Sequence, residues 1–327
     1  MLNAMSQAAE VKIAYLILAH RYPQQLTRLI QRLDDDNVVF FVHIDKKVDE
    51  ATYGMLVKSI SNKRNVRLIR RYTCYWAGFG IMQATLQGIR EIIESGEPFD
   101  HIVLLSGQDY PIKPKKYIHS FFAKNKGISF VEHRPFPRPE WIEEKGGWDR
   151  VKMWHFIGQD DHRVYPGENV FKKRLQFLNR FWNKIYAYLP VMERKLPLQM
   201  HPYGGAQFWS LARRHALYIY SFIQKHPVYE RFFRFVFVPD EILVQTIIGN
   251  AGLQDEVHND TLHFVEWYRP GAVLVSSDKE NICNTYHLFA RKFDTTIDSA
   301  IMDFIDNDIL INTSSSPHLE DDFNSKE

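Results

Sequence analysis

The sequence predicts a doubly wound α/β fold, and three observations carry that reading. Three runs are apolar throughout, with no polar alternation: VKIAYLILAH (11–20), NVVFFVHID (37–45) and the start of DHIVLLSGQDYPI (100–112). Such runs mark strands covered on both faces. Segments of helical spacing follow or precede them. Leu26, Leu29, Ile30 and Leu33 recur in QQLTRLIQRL (24–33), and GIMQATLQGIREIIESG (80–96) carries the same period up to Gly96, a C-cap signal. Each apolar run also ends in polar residues, namely His20, His43, Asp45 and the Ser106 to Tyr110 loop. In open α/β sheets ligands bind beyond the carboxyl ends of the strands, where these residues lie.

The remaining elements follow in order. NVRLIRR (65–71) predicts a third, shorter strand. Beyond residue 130 the pattern loosens. FPRPEWIEEKGGWDRVKMW (136–154), rich in Pro, Gly and Trp, predicts an ordered functional loop. FKKRLQFLNRFWNKIYAYL (171–189) reads as a basic amphipathic helix, GGAQFWSLARR (204–214) as a strand entering a helix, and LHFVEWY (262–268) as a late strand. The polar segment 312–327 predicts disorder. We read one catalytic domain, 1–311, with a nucleotide half of about 11–135 and an irregular acceptor half of about 136–311.

Composition narrows the function. Of 327 residues, 41 are Lys or Arg and 39 Asp or Glu, a net +2. A nucleic-acid binder shows a larger basic excess, so that class is set aside. Aromatics at 14% suit a large core or flat sugar platforms. The two cysteines, Cys74 and Cys283, form no disulfide framework or metal cluster and fit a reducing cytoplasm. The N-terminal apolar run lacks a basic flank and cleavage site, so it reads as a buried strand, not a signal peptide. No apolar stretch is long enough to span a membrane.

Several short strings bear chemistry. Asp34, Asp35 and Asp36 invite a metal reading, but they precede a strand, away from the ligand edge, and read as a solvated acidic turn. Asp45 ends a strand, where it either accepts hydrogen bonds from a nucleoside or closes a turn. In LLSGQDYPIK (104–113), Ser106, Gly107, Gln108 and Asp109 crowd a tight turn; Gly107 permits close backbone approach and Pro111 stiffens the exit. We assign this turn to function, directly or through loop shape. In YWAGFGIMQATL (75–86), Trp76 precedes small residues at a helix start, a place for an anion or for close packing; no phosphate-loop motif occurs. Arg291 and Lys292 in YHLFARKFD (286–294) either meet an anion such as a diphosphate or form a surface charge pair. VFVPDEILVQTIIGN (236–250) sets Asp240 and Glu241 behind a proline. They are helix caps, or one is a catalytic base.

Together AYLILAH, VHIDKK, WAGFGIMQATL, LLSGQDYPIK, GGAQFWSLARR, PDEILVQTII and HLFARKFD resemble, in order, the core 2/I-branching β-1,6-N-acetylglucosaminyltransferases and the related peptide O-xylosyltransferases, over roughly residues 12–295. The resemblance implies a GT-A fold, a UDP-sugar donor, inversion at the anomeric carbon and no metal. It implies that basic side chains neutralise the departing diphosphate. Lys292 matches the family's diphosphate lysine, and Arg269 is placed by spacing as its arginine partner. Glu241 matches the general base, with Asp240 as its cap or orienting neighbour. His20, Asp45, Trp76, Ser106 to Asp109 and Arg291 would face the donor; Glu132, Gln207 and Trp209 would lie toward the sugars.

The chain departs from the animal pattern in roughly 134–200, so the resemblance points to a bacterial, cytoplasmic enzyme. Its acceptor would be a surface polysaccharide or lipid-linked oligosaccharide. From Phe171 to Met200 the sequence holds Lys172, Lys173, Arg174, Arg180, Lys184, Arg194 and Lys195 against one acid, Glu193. That helix could lie on an anionic membrane or present a basic solvent face. The donor is read as UDP-N-acetylglucosamine, with UDP-xylose as alternative. A glycoside hydrolase and a non-catalytic carbohydrate-binding protein are the competing classes.

Overall fold

The computed structural model describes residues 10–159, 161–165, 194–267 and 270–311. Four parallel strands form its centre: β1 (Ile13–Ala19), β2 (Val38–Ile44), β3 (Val66–Leu68) and β4 (His101–Ser106), with β1 between β2 and β4 and β3 beyond β2. Three later strands complete a seven-stranded mixed sheet. Trp209–Ala212 runs antiparallel to β4 and to Ser129–Val131, and Val257–His258 lies parallel to Ser129–Val131 at the edge. Strands from before and after residue 136, where the sequence reading divides the chain, therefore share one sheet.

The apolar runs are buried on both faces, as their composition demands. Ile13, Tyr15, Ile17 and Ala19 of β1 enter one core, and Ala14 and Leu16 enter the other. β2 and β4 alternate in the same way, with Val42 and Leu105 on the first side and Phe41 and Leu104 on the second. Helices α1 (Pro23–Leu33) and α2 (Glu50–Ile60) cover the first side; α3 (Phe79–Glu94) and the helices Arg213–Lys225 and Leu243–Gly249 cover the second. Leu26, Leu29, Ile30 and Leu33 are the buried stripe of α1, at the spacing read from the sequence. Truncating one such leucine costs about 2–5 kcal/mol.

Sequence reading passed over α2. Its buried residues are only Leu56 and Ile60, and Gly54 breaks the helical pattern. The signal it did carry is a cap: the Asp49 carboxylate accepts the Thr52 N–H at 2.9 Å. The acidic run lies as expected. Asp34 ends α1 and accepts hydrogen bonds from Lys63 and Asn65, while Asp35 pairs with Lys115. The run precedes β2 and Asp45 follows it, so seven residues of strand, roughly 23 Å, separate them.

A second, three-stranded sheet joins Tyr110–Pro111 to Phe289–Arg291 and His263–Val265. Near the C-terminus Asp306 accepts hydrogen bonds from Arg28 and from the Tyr110 hydroxyl, both at 2.7 Å. The chain's end is thereby tied to α1 and to the strand after β4. The amphipathic helix expected at 171–189 and the disordered tail 312–327 lie outside the described residues. Among the described residues, no helix is long and apolar enough to cross a membrane.

α3 packs on β1 through Gly88, where an added Cβ would lie 2.3 Å from a Leu16 methyl carbon. Gly88→Val should destabilise the protein by about 1–3 kcal/mol through overpacking. Urea unfolding checks this, and an unchanged midpoint would show that α3 can step back from the sheet.

Candidate active site

The strand order gathers His20, Asp45 and the Ser106–Asp109 turn at the carboxyl edge of β1, β2 and β4. His20 is exposed there. Asp45 is buried; its Oδ1 accepts the N–H of Lys47 at 2.9 Å and of Cys74 at 3.3 Å, and the Lys47 ammonium lies 3.7 Å from Oδ2. His43 is not an edge residue. It is buried within β2 and accepts the Tyr72 N–H through Nε2 at 2.9 Å, and burial pushes its pKa down to about 4.

The Ser106–Asp109 turn closes on itself. The Asp109 carboxylate, fully buried, accepts the Ser106 N–H at 2.5 Å and its hydroxyl at 3.0 Å. It also accepts Arg291 Nε at 2.9 Å. Asp109 thus acts by shaping the loop. Arg291 is further held over the Phe208 ring at 4.1 Å. Gln108 donates to the Phe293 carbonyl at 3.2 Å and accepts from Arg21 at 2.9 Å. The next cation, Lys292, is half-buried, and among the described residues no carboxylate lies within ion-pair distance of it. Burial lowers its pKa, and the neighbouring Arg291 charge adds to this. Arg269 lies outside the described residues.

The charge of Arg291 also acts on Asp240 of the Pro-Asp-Glu string. Val238 has φ 49°, and Pro239–Glu241 forms a single 3₁₀ turn that ends at Ile242, φ −132°. That break separates both carboxyls from the helix Leu243–Gly249, whose N-terminus has no side-chain cap. Asp240 is therefore no helix cap. The Val238 N–H donates to the Ala77 carbonyl at 3.0 Å, joining this turn to the start of α3. Trp76 stands beside it, 79% exposed, edge-on to Phe237 with ring centres 5.9 Å apart.

Glu241 keeps about a third of its side chain exposed and holds Arg150 through Oε2 at 2.8 Å. Its carbonyl accepts the Gly205 N–H at 2.9 Å. Arg150 is buried, with its guanidinium 3.7 Å from the centre of the Trp141 ring and 3.5 Å from Glu144. Burial raises the Glu241 pKa, and the Arg150 charge and hydrogen bond work against the rise. Asp240 is buried, and among the described residues its Oδ1 has no hydrogen-bond partner. Burial, then the Glu241 charge, push its pKa up to about 7, while Arg150 and Arg291 pull it down. Two adjacent carboxyls thus differ in kind: Glu241 is ion-paired, reachable and oriented, and Asp240 is enclosed.

Glu132 lies beside this pair. Its Oε1 accepts from Arg138 at 2.7 Å and its Oε2 accepts the Ala206 N–H at 3.0 Å. A Cβ at Gly205 would sit 1.8 Å from the Glu132 carbonyl, so only glycine allows this approach. Gln207 is half-buried on the same segment. Trp209 corrects the sequence reading. It is 1% exposed, in the core between α3 and the sheet, and offers no face to a sugar. Sequence reading also missed Arg138, Trp141 and Arg150. All three lie in the Pro-, Gly- and Trp-rich loop. A cation among so many large apolar residues must be paired once buried, which is the signal that could have found them.

The Core-2/I-Branching enzyme family model matches residues 13–288, which takes in every residue named in this section except Arg291, Lys292 and Phe293. Xylosyltransferase oxt of Drosophila pseudoobscura pseudoobscura is 25% identical over 272 residues, covering 80% of this chain and 27% of that protein. Xylosyltransferase 2 of Rattus norvegicus is 22% identical over 319 residues, covering 90% and 33%. The chain therefore spans about a quarter to a third of the length of these relatives. Among solved structures, the galactosyltransferase LgtC with donor and acceptor sugar analogues aligns with a TM-score of 0.27 and 11% identity, over 47% of this chain and 55% of that one.

The geometry sets the direction of one titration. Arg150 favours the ionised form of Glu241, so removing the cation must raise the Glu241 pKa further. Carbon-13 NMR of the labelled carboxyl in Arg150→Met should show it titrating at higher pH than in the wild type. A lower or unchanged value would mean that the pair does not persist in solution.

Proposed function

Because the chain belongs to the Core-2/I-Branching enzyme family, we propose that it is an inverting glycosyltransferase. It moves a sugar from a UDP-sugar to a hydroxyl of a glycan acceptor, without a metal. The observation that carries this reading is the Glu241 carboxylate, partly exposed, raised in pKa by burial and held on one oxygen by Arg150, next to Asp240, on which the Arg291 charge acts.

The chemistry is a single displacement. The acceptor hydroxyl gives its proton to Glu241 as its oxygen attacks the anomeric carbon. Arg150 occupies Oε2, which leaves Oε1 as the proton's destination. The bond from the anomeric carbon to the β-phosphate oxygen breaks on the opposite face, and UDP leaves with its charge offset by the Lys292 ammonium. Asp45 and the Ser106–Asp109 turn form the nucleotide side of the cleft, and Trp76 offers an exposed ring beside the donor sugar.

N-acetylglucosamine is the donor sugar we propose. Similarity to xylosyltransferases supports UDP-xylose as a second reading. The acceptor we propose is a bacterial surface polysaccharide or glycolipid, met on the cytoplasmic side of the membrane. A glycoside hydrolase would need two carboxylates flanking one bond. Asp240 is enclosed and Glu132 is engaged by Arg138 and Ala206, so neither partners Glu241 in that role.

UDP release from UDP-N-acetylglucosamine, UDP-xylose, UDP-glucose and UDP-galactose, with EDTA present, tests the reading. One donor should be turned over. Glu241→Gln should lose about 10²–10⁴-fold in rate, the usual share of a general base. The wild-type rate should fall as pH drops through the raised Glu241 pKa, since only the carboxylate accepts the proton. Turnover that requires added manganese would defeat the metal-free mechanism, and sugar release from glycosides without UDP would favour the hydrolase. Lys292→Met should lower the rate by about 10²–10³-fold, as loss of one preorganised charge-stabilising group does. An unchanged rate in that variant would remove Lys292 from the leaving-group side.

A further inference from the structure

The two segments that supply the nucleotide side, the Ser106–Asp109 turn and the Arg291–Thr295 segment, are far apart in sequence. One buried amide touches both. Gln25, on the inner face of α1, is 1% exposed. Its Nε2 donates to the Gly107 carbonyl at 3.0 Å and to the Phe293 carbonyl at 3.1 Å. Its Oε1 accepts the Thr295 N–H at 3.3 Å. The opposite amide orientation would set an oxygen against two carbonyls, so the network allows only this one. The Phe293 carbonyl is shared with Gln108 Nε2, and the Phe293 N–H returns to the Gln108 carbonyl at 2.8 Å. Gln25 and Gln108 thus converge on the residue that follows Lys292.

We propose that Gln25 is a positioning residue for the donor: its amide sets the spacing between the Ser106–Asp109 turn and Lys292, and so the affinity for a nucleoside diphosphate. This rests on the reading of that edge as a UDP site. Gln25 is not needed to hold α1 on the sheet, because Leu26, Leu29, Ile30 and Leu33 do so. An apolar residue at position 25 would leave the Gly107 carbonyl and the Thr295 N–H without their Gln25 partner. Glutamate would keep an acceptor for Thr295 but aim carboxylate oxygens at two carbonyls.

The experiment measures UDP binding by calorimetry to the full chain, for wild type, Gln25→Met, Gln25→Glu and Arg28→Met. Arg28 is on the same helix but bonds Asp303 and Asp306; it reaches this part of the chain at one remove, through the Tyr110 hydroxyl on Asp306, and bonds no residue of the Ser106–Asp109 turn. Arg28→Met should lower Tm and leave the UDP Kd unchanged. Gln25→Met should raise the Kd about tenfold, the equivalent of one unmet buried hydrogen bond. Gln25→Glu should bind more weakly still at neutral pH and recover part of the loss as pH falls, because the protonated acid can donate to one carbonyl. Hydrogen exchange at the Phe293 and Thr295 amides should rise in both Gln25 variants, with α3 amides unchanged. UDP binding by wild type with equal Kd in both Gln25 variants would overturn the positioning role alone. Absence of UDP binding by wild type would overturn the UDP reading; the exchange data then judge the network, and unchanged exchange at Phe293 and Thr295 would overturn that as well. If Tm falls and Kd rises in parallel in Arg28→Met too, the effect is general stability and the proposal fails.

Discussion

The architecture of the site depends on one buried ion pair, Asp109 with Arg291. The Asp109 carboxylate is fully buried and closes its own turn through Ser106, so it cannot be left without a cation. Removing one partner of such a pair costs about 3–5 kcal/mol, because the other charge stays enclosed. The pair joins the loop after β4 to the strand Phe289–Arg291, and so joins the seven-stranded sheet to the three-stranded one. His263, on the neighbouring strand, lies 3.9 Å from the same carboxylate. Gln108 and Lys292, the chain neighbours of the two partners, are set next to each other by this junction.

The Pro-Asp-Glu turn shows how similar residues acquire different roles from their surroundings. Asp240 and Glu241 are adjacent carboxyls, and burial raises both. Of the two, Arg150 bonds Glu241 and not Asp240, and it is itself clamped between the ring of Trp141 and the acids Glu144 and Glu241. Arg150 sits on the short helix Trp148–Lys152, inside the Pro-, Gly- and Trp-rich segment. The precision of the carboxylate therefore comes from a short helix packed by large rings.

What the sequence revealed follows from where its signals arise. β1, β2 and β4 were legible because a strand buried on both faces must be apolar throughout, and the helical stripe of α1 was legible for the same reason. α2 was not, because it buries only two residues at one end. Asp45 and the Ser-Gly-Gln-Asp turn were placed correctly by topology, since strand order alone puts them at one edge. Trp209 was misread: the resemblance set it toward the sugars, yet its strand lies inside the sheet and is buried on both faces. Glu241 was singled out, but its partner Arg150 lies 91 residues away, and no local pattern encodes a contact of that range.

The two cations of ARKFD also separate once their partners are known. Arg291 is engaged by Asp109 and by the Phe208 ring, which fixes its charge in the fold. Lys292 has no such partner among the described residues and is half-buried beside another cation. Its lowered pKa is the mark of a charge kept in an unfavourable place. An anion at that point would relieve both the desolvation and the repulsion from Arg291, so the site is more at ease when occupied than when empty. On the proposed reading, in which a diphosphate departs beside it, Lys292 serves the chemistry and Arg291 the architecture, although the two are adjacent in sequence and look interchangeable there.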